Sequence, residues 1–133
     1  MNPLYSEVAR RARHRCEYCR APEAVFNFPF EVEHILPPGL GGSVGIENCA
    51  LACRSCNLFK SNAVEAFDSI DGLRVRLFQP RLDSWEVHFR VLESGELEAL
   101  TAIGRVTILQ LRMNAAAQIE ARRWWVRLAM YPV

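Results

Sequence analysis

The chain has 133 residues, of which 50% are hydrophobic and 23% are charged, and its formal net charge is +1. This apolar fraction excludes an intrinsically disordered chain, and no stretch approaches the roughly 20 apolar residues that a membrane span needs. Arginines interrupt the N-terminal segment before an apolar signal core can form, so we expect no secretory signal, no membrane partner and a cytoplasmic location.

The first predicted element is a short helix that is capped by Ser6 and ends before Cys16. The arginines of this segment, together with one arginine directly after the first cysteine pair, form the densest basic cluster of the chain. They are Arg10, Arg11, Arg13, Arg15 and Arg20. The planar guanidinium group suits contact with phosphate. A solvated helix face is the alternative interpretation.

Four of the five cysteines form two CxxC pairs, which are separated by 33 residues: Cys16, Cys19, Cys53 and Cys56. A two-residue spacer allows both sulfurs of a tight turn to face one tetrahedral Zn²⁺. A secreted disulfide framework does not fit, because one cysteine is left over and no signal is expected. The spacing therefore predicts a structural zinc site, with Cys49 as a small core residue.

Between the cysteine pairs, alternating apolar residues over 25–35 predict a strand that carries Glu31 and Glu33 on its opposite side. The Pro- and Gly-rich segment 37–42 predicts a loop. A short strand follows over 50–52, and residues 54–67 have a helical pattern.

The second half begins at a predicted boundary over 68–72, which divides the chain into domains 1–67 and 68–133. We expect two strands joined as a hairpin, over 73–77 and 85–91, and a third strand over 97–100. Two helices should follow, over 101–112 and 114–127. Thr101 and Asn114 are the predicted helix caps. Trp124 and Trp125 lie among arginines, as core anchors or as a nucleic-acid contact. The predicted fold class is α+β.

One segment of the chain, EVEHILPPGLGGSVGIENCALACRSCNLFKS, contains a series of polar and glycine features. They are, in chain order, an acidic residue followed by a histidine, a glycine-rich loop, an asparagine, a CxxC pair, a second asparagine and a lysine. In this order they resemble the HNH endonucleases, whose ββα-metal core is often braced by two CxxC pairs. The resemblance covers about residues 16–61 and implies a zinc-braced core of this kind. The tail more weakly resembles an extension found on some bacterial HNH proteins.

The resemblance implies a role for four residues of the central segment. His34 would act as the general base that activates water, and Glu33 and Asn57 would hold a divalent cation, Mg²⁺ or Mn²⁺. Asn48 would brace the loop and orient the imidazole. Glu33 replaces the commoner Asp, and Asn57 replaces a His, which favours a cation that prefers oxygen ligands.

The implied function is metal-dependent hydrolysis of DNA phosphodiester bonds, and chemistry supports it because an imidazole can take a proton from water at neutral pH. Candidate contacts to DNA phosphates are Arg10, Arg11, Arg13 and Lys60. One alternative is a zinc-braced nucleic-acid-binding module without catalysis. Another is a protein-interaction module in which Trp124 and Trp125 form a dimer surface.

Overall fold

A computed structural model describes residues 1–132 of the chain. Its helices and strands follow in the order α1 (Tyr5–Arg11), β1 (Glu31–His34), β2 (Cys49–Ala52), α2 (Arg54–Lys60), β3 (Glu65–Phe67), β4 (Arg74–Arg76), α3 (Trp85–His88), β5 (Phe89–Val91), β6 (Leu97–Ala99), α4 (Ala102–Gln110) and α5 (Ala116–Arg127). This mixed architecture confirms the predicted α+β class. Among the described residues, every helix is too short or too polar to cross a lipid bilayer.

The N-terminal half is built around one antiparallel hairpin and the helix that follows it. Strands β1 and β2 pair so that Glu33 lies opposite Ala50 and His34 lies opposite Cys49. All four residues of β2 are buried, and α1 and α2 pack against this hairpin. The arrangement is the expected ββα core, in which α2 starts directly after the second strand.

Three local predictions in this half are wrong. Ser6 lies inside α1, which begins after Leu4 without a side-chain cap. The strand expected from residue 25 begins only at Glu31, because a 3₁₀ turn precedes it. The helix expected through residue 67 ends at Lys60, because Ser61 has a φ of +48°. A positive φ is unfavourable for a non-glycine residue and stops helix propagation.

Two further hairpins follow α2, and neither is the expected hairpin between strands at 73–77 and 85–91. Strand β3 pairs with β4, and β5 pairs with β6. The predicted domain boundary at 68–72 therefore falls in the turn of the β3–β4 hairpin. Division of the chain into domains 1–67 and 68–133 remains a prediction, although β3 and β4 pair across this boundary.

The segment 85–91 alternates like a strand, yet its first part is the helical turn α3. His88 is buried at the end of this turn, whereas a continuous strand over 85–91 would place it on the opposite face from Trp85. The glycine of α4 explains the tight packing here: a Cβ on Gly104 would lie 2.3 Å from the carbonyl oxygen of His88.

The two C-terminal helices begin differently. Thr101 caps α4 as predicted, since its hydroxyl accepts a hydrogen bond from the backbone N–H of Gly104. Asn114 does not cap α5; its side chain instead bonds to the backbone of Leu97 in β6. Within α5, the ring of Trp125 packs against Tyr131 at a centroid distance of 6.3 Å, whereas Trp124 is half exposed.

Candidate metal centre and active site

The four paired cysteines converge on one buried point. Their sulfur atoms all lie within 4.8 Å of one another, and the Sγ atoms of Cys19 and Cys53 are 3.8 Å apart. A tetrahedron with metal–sulfur bonds of about 2.3 Å has edges of about 3.8 Å. The cluster therefore has the dimensions of a tetrahedral zinc–thiolate site, and the structure brings all four predicted ligands together.

The electrostatics of the cluster also fit a bound dication. Hydrogen bonds from Cys16, Cys53 and Cys56 lower the pKa of Cys19 well below its ordinary value. Contacts with Cys16, Cys19 and Cys53 raise the pKa of Cys56 in turn. One thiolate thus opposes ionisation of its neighbours, and a multivalent cation is needed for several thiolates to share this buried site.

Backbone geometry positions each cysteine pair as a metal-binding turn. The N–H of Cys19 points to the sulfur of Cys16 at 3.5 Å, and the N–H of Cys56 points to the sulfur of Cys53 at 3.4 Å. Cys53 is also the N-cap of α2, so the second pair fixes where this helix begins. Cys49 lies outside the cluster and is fully buried, as predicted for a core residue.

The C-terminal half holds the first cysteine turn in place. The indole N–H of Trp85 donates to the carbonyl of Tyr18 at 2.8 Å, and the hydroxyl of Tyr131 donates to the carbonyl of Cys19 at 2.7 Å. Arg81 forms a salt bridge with Glu17. Since three residues of the second half contact residues 17–19, the extension stabilises the metal centre directly.

Three of the four predicted site residues line a single open cleft of about 200 Å³ beside α2. Glu33 and His34 reach it from β1, and Asn57 reaches it from α2. His34 is partly exposed, so water and substrate have access to its imidazole. The structure therefore places the expected base and the expected metal ligands around one space.

The carboxylate of Glu33 is also fixed by hydrogen bonds to other residues of the protein. It accepts hydrogen bonds from the hydroxyl of Tyr18 and from Nζ of Lys60, the latter at 3.3 Å. Burial raises the pKa of Glu33, while the Lys60 charge and the two hydrogen bonds lower it. Each carboxylate oxygen keeps a second lone pair, so the carboxylate can still bind a cation. Because Tyr18 belongs to the first cysteine turn, the zinc site positions Glu33.

Lys60 was expected at a DNA phosphate, and the structure corrects this expectation. Its side chain is almost completely buried, and its ammonium group donates to the carbonyl of Ile35 at 2.9 Å as well as to Glu33. An ammonium group with these internal partners has no access to a phosphate in solvent. Its sequence position one turn after Asn57 gave no sign of this pairing, because Glu33 and Ile35 lie on another element.

Asn57 has a partner that the sequence reasoning missed. Its Nδ2 donates to the carboxylate of Glu31, two residues before Glu33 on the same side of β1. Within residues 1–132, the Oδ1 atom of Asn57 accepts no hydrogen bond. The amide is thus fixed by its nitrogen, and its oxygen is available as a ligand for a hard cation. The i, i+2 spacing of Glu31 and Glu33 is the signal that could have identified Glu31.

Asn48 lies behind the cleft and ties the loop after His34 to β2. Its Nδ2 donates to the carbonyls of Leu36 and Ser43 at 2.8 and 2.7 Å, and its Oδ1 accepts from the N–H of Leu36 at 3.0 Å. The backbone N–H of Ile35 donates to the carbonyl of Asn48. A Cβ on Gly42 would lie 1.8 Å from the carbonyl oxygen of Leu36, so the loop needs glycine there.

The exposed arginines of α1 and of the turn that follows it differ in their hydrogen-bond partners. Arg10 and Arg13 are exposed and remain candidates for phosphate contact. Arg11 donates to the carbonyls of Ile46 and Cys49 at 2.9 and 2.5 Å, so it braces the entry to β2. The basic cluster read from the sequence is therefore partly structural.

Comparison with known proteins covers this same part of the chain. The family model described as HNH endonuclease matches residues 16–63, which include both cysteine pairs and every residue of the cleft named from the sequence. Searches of the curated proteins and of the solved structures return no match.

Proposed function

We propose that the HNH domain of this chain, residues 16–63, is a metal-dependent endonuclease that hydrolyses phosphodiester bonds of DNA. The observation that supports this proposal best is the convergence of Glu33, His34 and Asn57 on one open cleft. A module that only binds nucleic acid needs neither a partly exposed imidazole nor oxygen ligands at that position. The zinc site gives these side chains a rigid support.

In the proposed reaction His34 takes a proton from a water molecule, whose oxygen attacks phosphorus. The bond from phosphorus to the 3′ oxygen breaks, and the 3′ oxygen leaves and takes up a proton. An imidazole is a suitable base because it is largely neutral near pH 7. The partly exposed position of His34 allows water to reach it, and Asn48 fixes the backbone of the next residue through its carbonyl.

The residues of the cleft fit a hard divalent cation such as Mg²⁺ or Mn²⁺. Glu33 offers a carboxylate that Tyr18 and Lys60 hold in place, and Asn57 offers an amide oxygen that no hydrogen bond occupies within residues 1–132. When bound, such a cation stabilises negative charge on the phosphate and on the leaving oxygen. Glu33 and Asn57 would hold such a cation by two oxygen atoms, so water and phosphate could supply its other ligands.

DNA is the proposed partner, and a few exposed arginines, rather than a broad basic surface, make the contact with it. Residues 1–67 contain seven basic and seven acidic groups. Arg10 and Arg13 are exposed on α1 and in the following turn, where they can contact the phosphate backbone. We expect weak, salt-sensitive binding with a shallow slope, because the slope of affinity against salt scales with the number of phosphates neutralised and few are neutralised here.

A plasmid-nicking assay with Mg²⁺ or Mn²⁺ tests the proposal. The wild-type protein should convert supercoiled DNA to nicked or linear forms, and His34→Ala should reduce the rate by at least about a hundredfold. His14→Ala is the matched control, since His14 bonds to Glu23 outside the cleft. If neither wild type nor His34→Ala cuts while both bind DNA equally, the chain is a zinc-braced binding module instead.

A further inference from the structure

A second cavity opens beside Asn57 and the start of β1. It has a volume of about 550 Å³, within the range of small-molecule sites, and its walls are mostly apolar. Tyr5, Phe28 and Phe30 supply three aromatic rings to it. The side chain of Phe28 is 79% exposed. An exposed phenylalanine costs solvation free energy and offers a flat face for stacking.

The walls of this cavity are held rigidly by one buried carboxylate. Glu23 accepts hydrogen bonds from the hydroxyl of Tyr5 and from the backbone N–H of Phe30, both at 2.7 Å. The ring of Phe30 also packs against Phe26 with centroids 4.9 Å apart. The two walls formed by Tyr5 and Phe30 are therefore preformed, which reduces the entropy cost of binding a flat group.

The cavity adjoins the proposed catalytic cleft. Val32 and Asn57 line both spaces, and Glu31, next to Val32 on β1, lines the cavity. From Phe30 to His34 the strand advances by about 13 Å. A nucleic-acid strand with a phosphate at His34 thus needs to extend by only a few nucleotides to reach the aromatic walls. Arg54 lies 3.9 Å from Glu31 with an exposed side chain, and can contact the strand's phosphates.

We infer that this cavity, lined by Tyr5, Phe28 and Phe30, binds an unpaired nucleobase next to the bond that is cut, so that the enzyme prefers single-stranded or locally unpaired DNA. This inference rests on the proposed function. A base in a duplex has both faces covered by its neighbours, so only an unpaired base can enter a pocket and stack on a side chain.

The test compares the binding of two DNA probes by fluorescence anisotropy in the His34→Ala background, which prevents cleavage. The probes are a fluorescein-labelled single strand and a duplex of the same sequence at equal salt. Adding Phe28→Ala should weaken binding of the single strand by about tenfold and leave duplex binding unchanged. Phe28→Tyr should restore affinity for the single strand, because the stacking face is kept.

Phe67→Ala is the matched control, because Phe67 is an exposed phenylalanine of β3 that does not line the cavity. Equal weakening of both probes, or no weakening of either, would overturn the inference. Plasmid nicking by the protein with both Phe28 and His34 intact separates the two claims. If this protein cuts plasmid while Phe28→Ala in the His34→Ala background binds the single strand as tightly as its parent, the proposed function stands and the base pocket does not. If the parent protein neither cuts nor binds DNA, both fail.

Discussion

The ammonium group of Lys60 lies 3.3 Å from the carboxylate of Glu33, and both side chains are almost completely buried. Lys60→Met removes the charge and leaves a buried carboxylate with only Tyr18 as a partner. Removal of one member of a buried ion pair typically costs about 3–5 kcal/mol. We therefore expect the free energy of unfolding in urea to fall by about 3 kcal/mol.

The double variant Lys60→Met with Glu33→Gln is the control for this ion pair. It removes both charges, so it should recover part of the lost stability. A single variant that is as stable as the wild type would show that the two groups are not paired. The salt dependence of DNA binding gives a second readout: Lys60→Met should leave its slope unchanged, because Lys60 contacts no phosphate.

The zinc site supports the N-terminal half of the fold. Structural zinc sites contribute about 10–16 kcal/mol of apparent binding free energy, which exceeds the stability of a typical domain. Chelation of zinc or Cys53→Ser should therefore unfold this half, with loss of the cooperative thermal transition in circular dichroism. Cys49→Ala is the matched control and should retain one zinc per chain, since Cys49 lies outside the cluster. A Cys53→Ser protein with an unchanged Tm would contradict the prediction.

The sequence was most informative where the chemistry depends on local spacing. The two CxxC turns, the Glu33–His34 pair and the cap at Thr101 each involve residues within a few positions of one another, and the structure contains all of them. The partner of Lys60 could not be predicted, because Glu33 is 27 residues away on another element. Outside a recognisable motif such as the cysteine pairs, a single sequence does not show which distant residues meet.

Errors in the predicted elements have a related cause. The alternation from Trp85 resembles a strand, but Trp85 is anchored by a hydrogen bond to Tyr18, 67 residues earlier, and the chain forms a helical turn there. Likewise, the helical pattern after Lys60 is overridden because Ser61 turns the chain into β3. Tertiary contacts decide such short segments, since their local preferences differ by little free energy.

Asn48 determines the conformation of the loop that follows His34. Asn48→Asp keeps the acceptor for Leu36 but removes both side-chain donors, and leaves the carbonyls of Leu36 and Ser43 without this partner. We expect a loss of about 1–3 kcal/mol in stability and about a hundredfold lower cleavage rate, because the base is misplaced. Nicking kinetics and urea unfolding measure the two effects. Asn27→Asp, with an exposed amide outside the cleft, is the control and should show neither the stability loss nor a comparable rate loss.

Asp83 makes the free energy of unfolding depend on pH in the acidic range. Hydrogen bonds from Arg76 at 2.7 and 2.8 Å lower the pKa of Asp83 below its ordinary value of 3.8. As the pH falls, Asp83 therefore takes up a proton at a higher pH in the unfolded chain than in the folded protein. The stabilisation by Asp83 is present above pH 3.8 and is lost as the pH falls through the folded-state pKa. Asp83→Asn should cost about 1 kcal/mol at pH 7, a small value because Arg76 is half exposed, and the difference from wild type should vanish in acid.

Urea unfolding at several pH values measures this effect. The double variant Asp83→Asn with Arg76→Gln is the control, since Arg76 has no carboxylate left to bind, and it should follow the pH dependence of the single variant. A stability difference between wild type and Asp83→Asn that stays constant down to pH 2 would contradict the assignment, because Asp83 would then not titrate with folding.

Glu31 fixes the amide of Asn57 and thereby presents the Oδ1 atom to the proposed cation. Glu31→Ala removes the acceptor for Nδ2, so the amide can rotate and its oxygen is no longer held toward the cleft. We expect the Mn²⁺ concentration for half-maximal nicking to rise by about tenfold, with a smaller change in the rate at saturating Mn²⁺. This split follows because ligand placement governs metal affinity, whereas His34 is untouched. Glu31→Gln is the matched control: its amide oxygen can still accept from Asn57, so the Mn²⁺ requirement should stay near that of the wild type. An unchanged Mn²⁺ requirement in Glu31→Ala would show that Asn57 does not depend on Glu31 for its position.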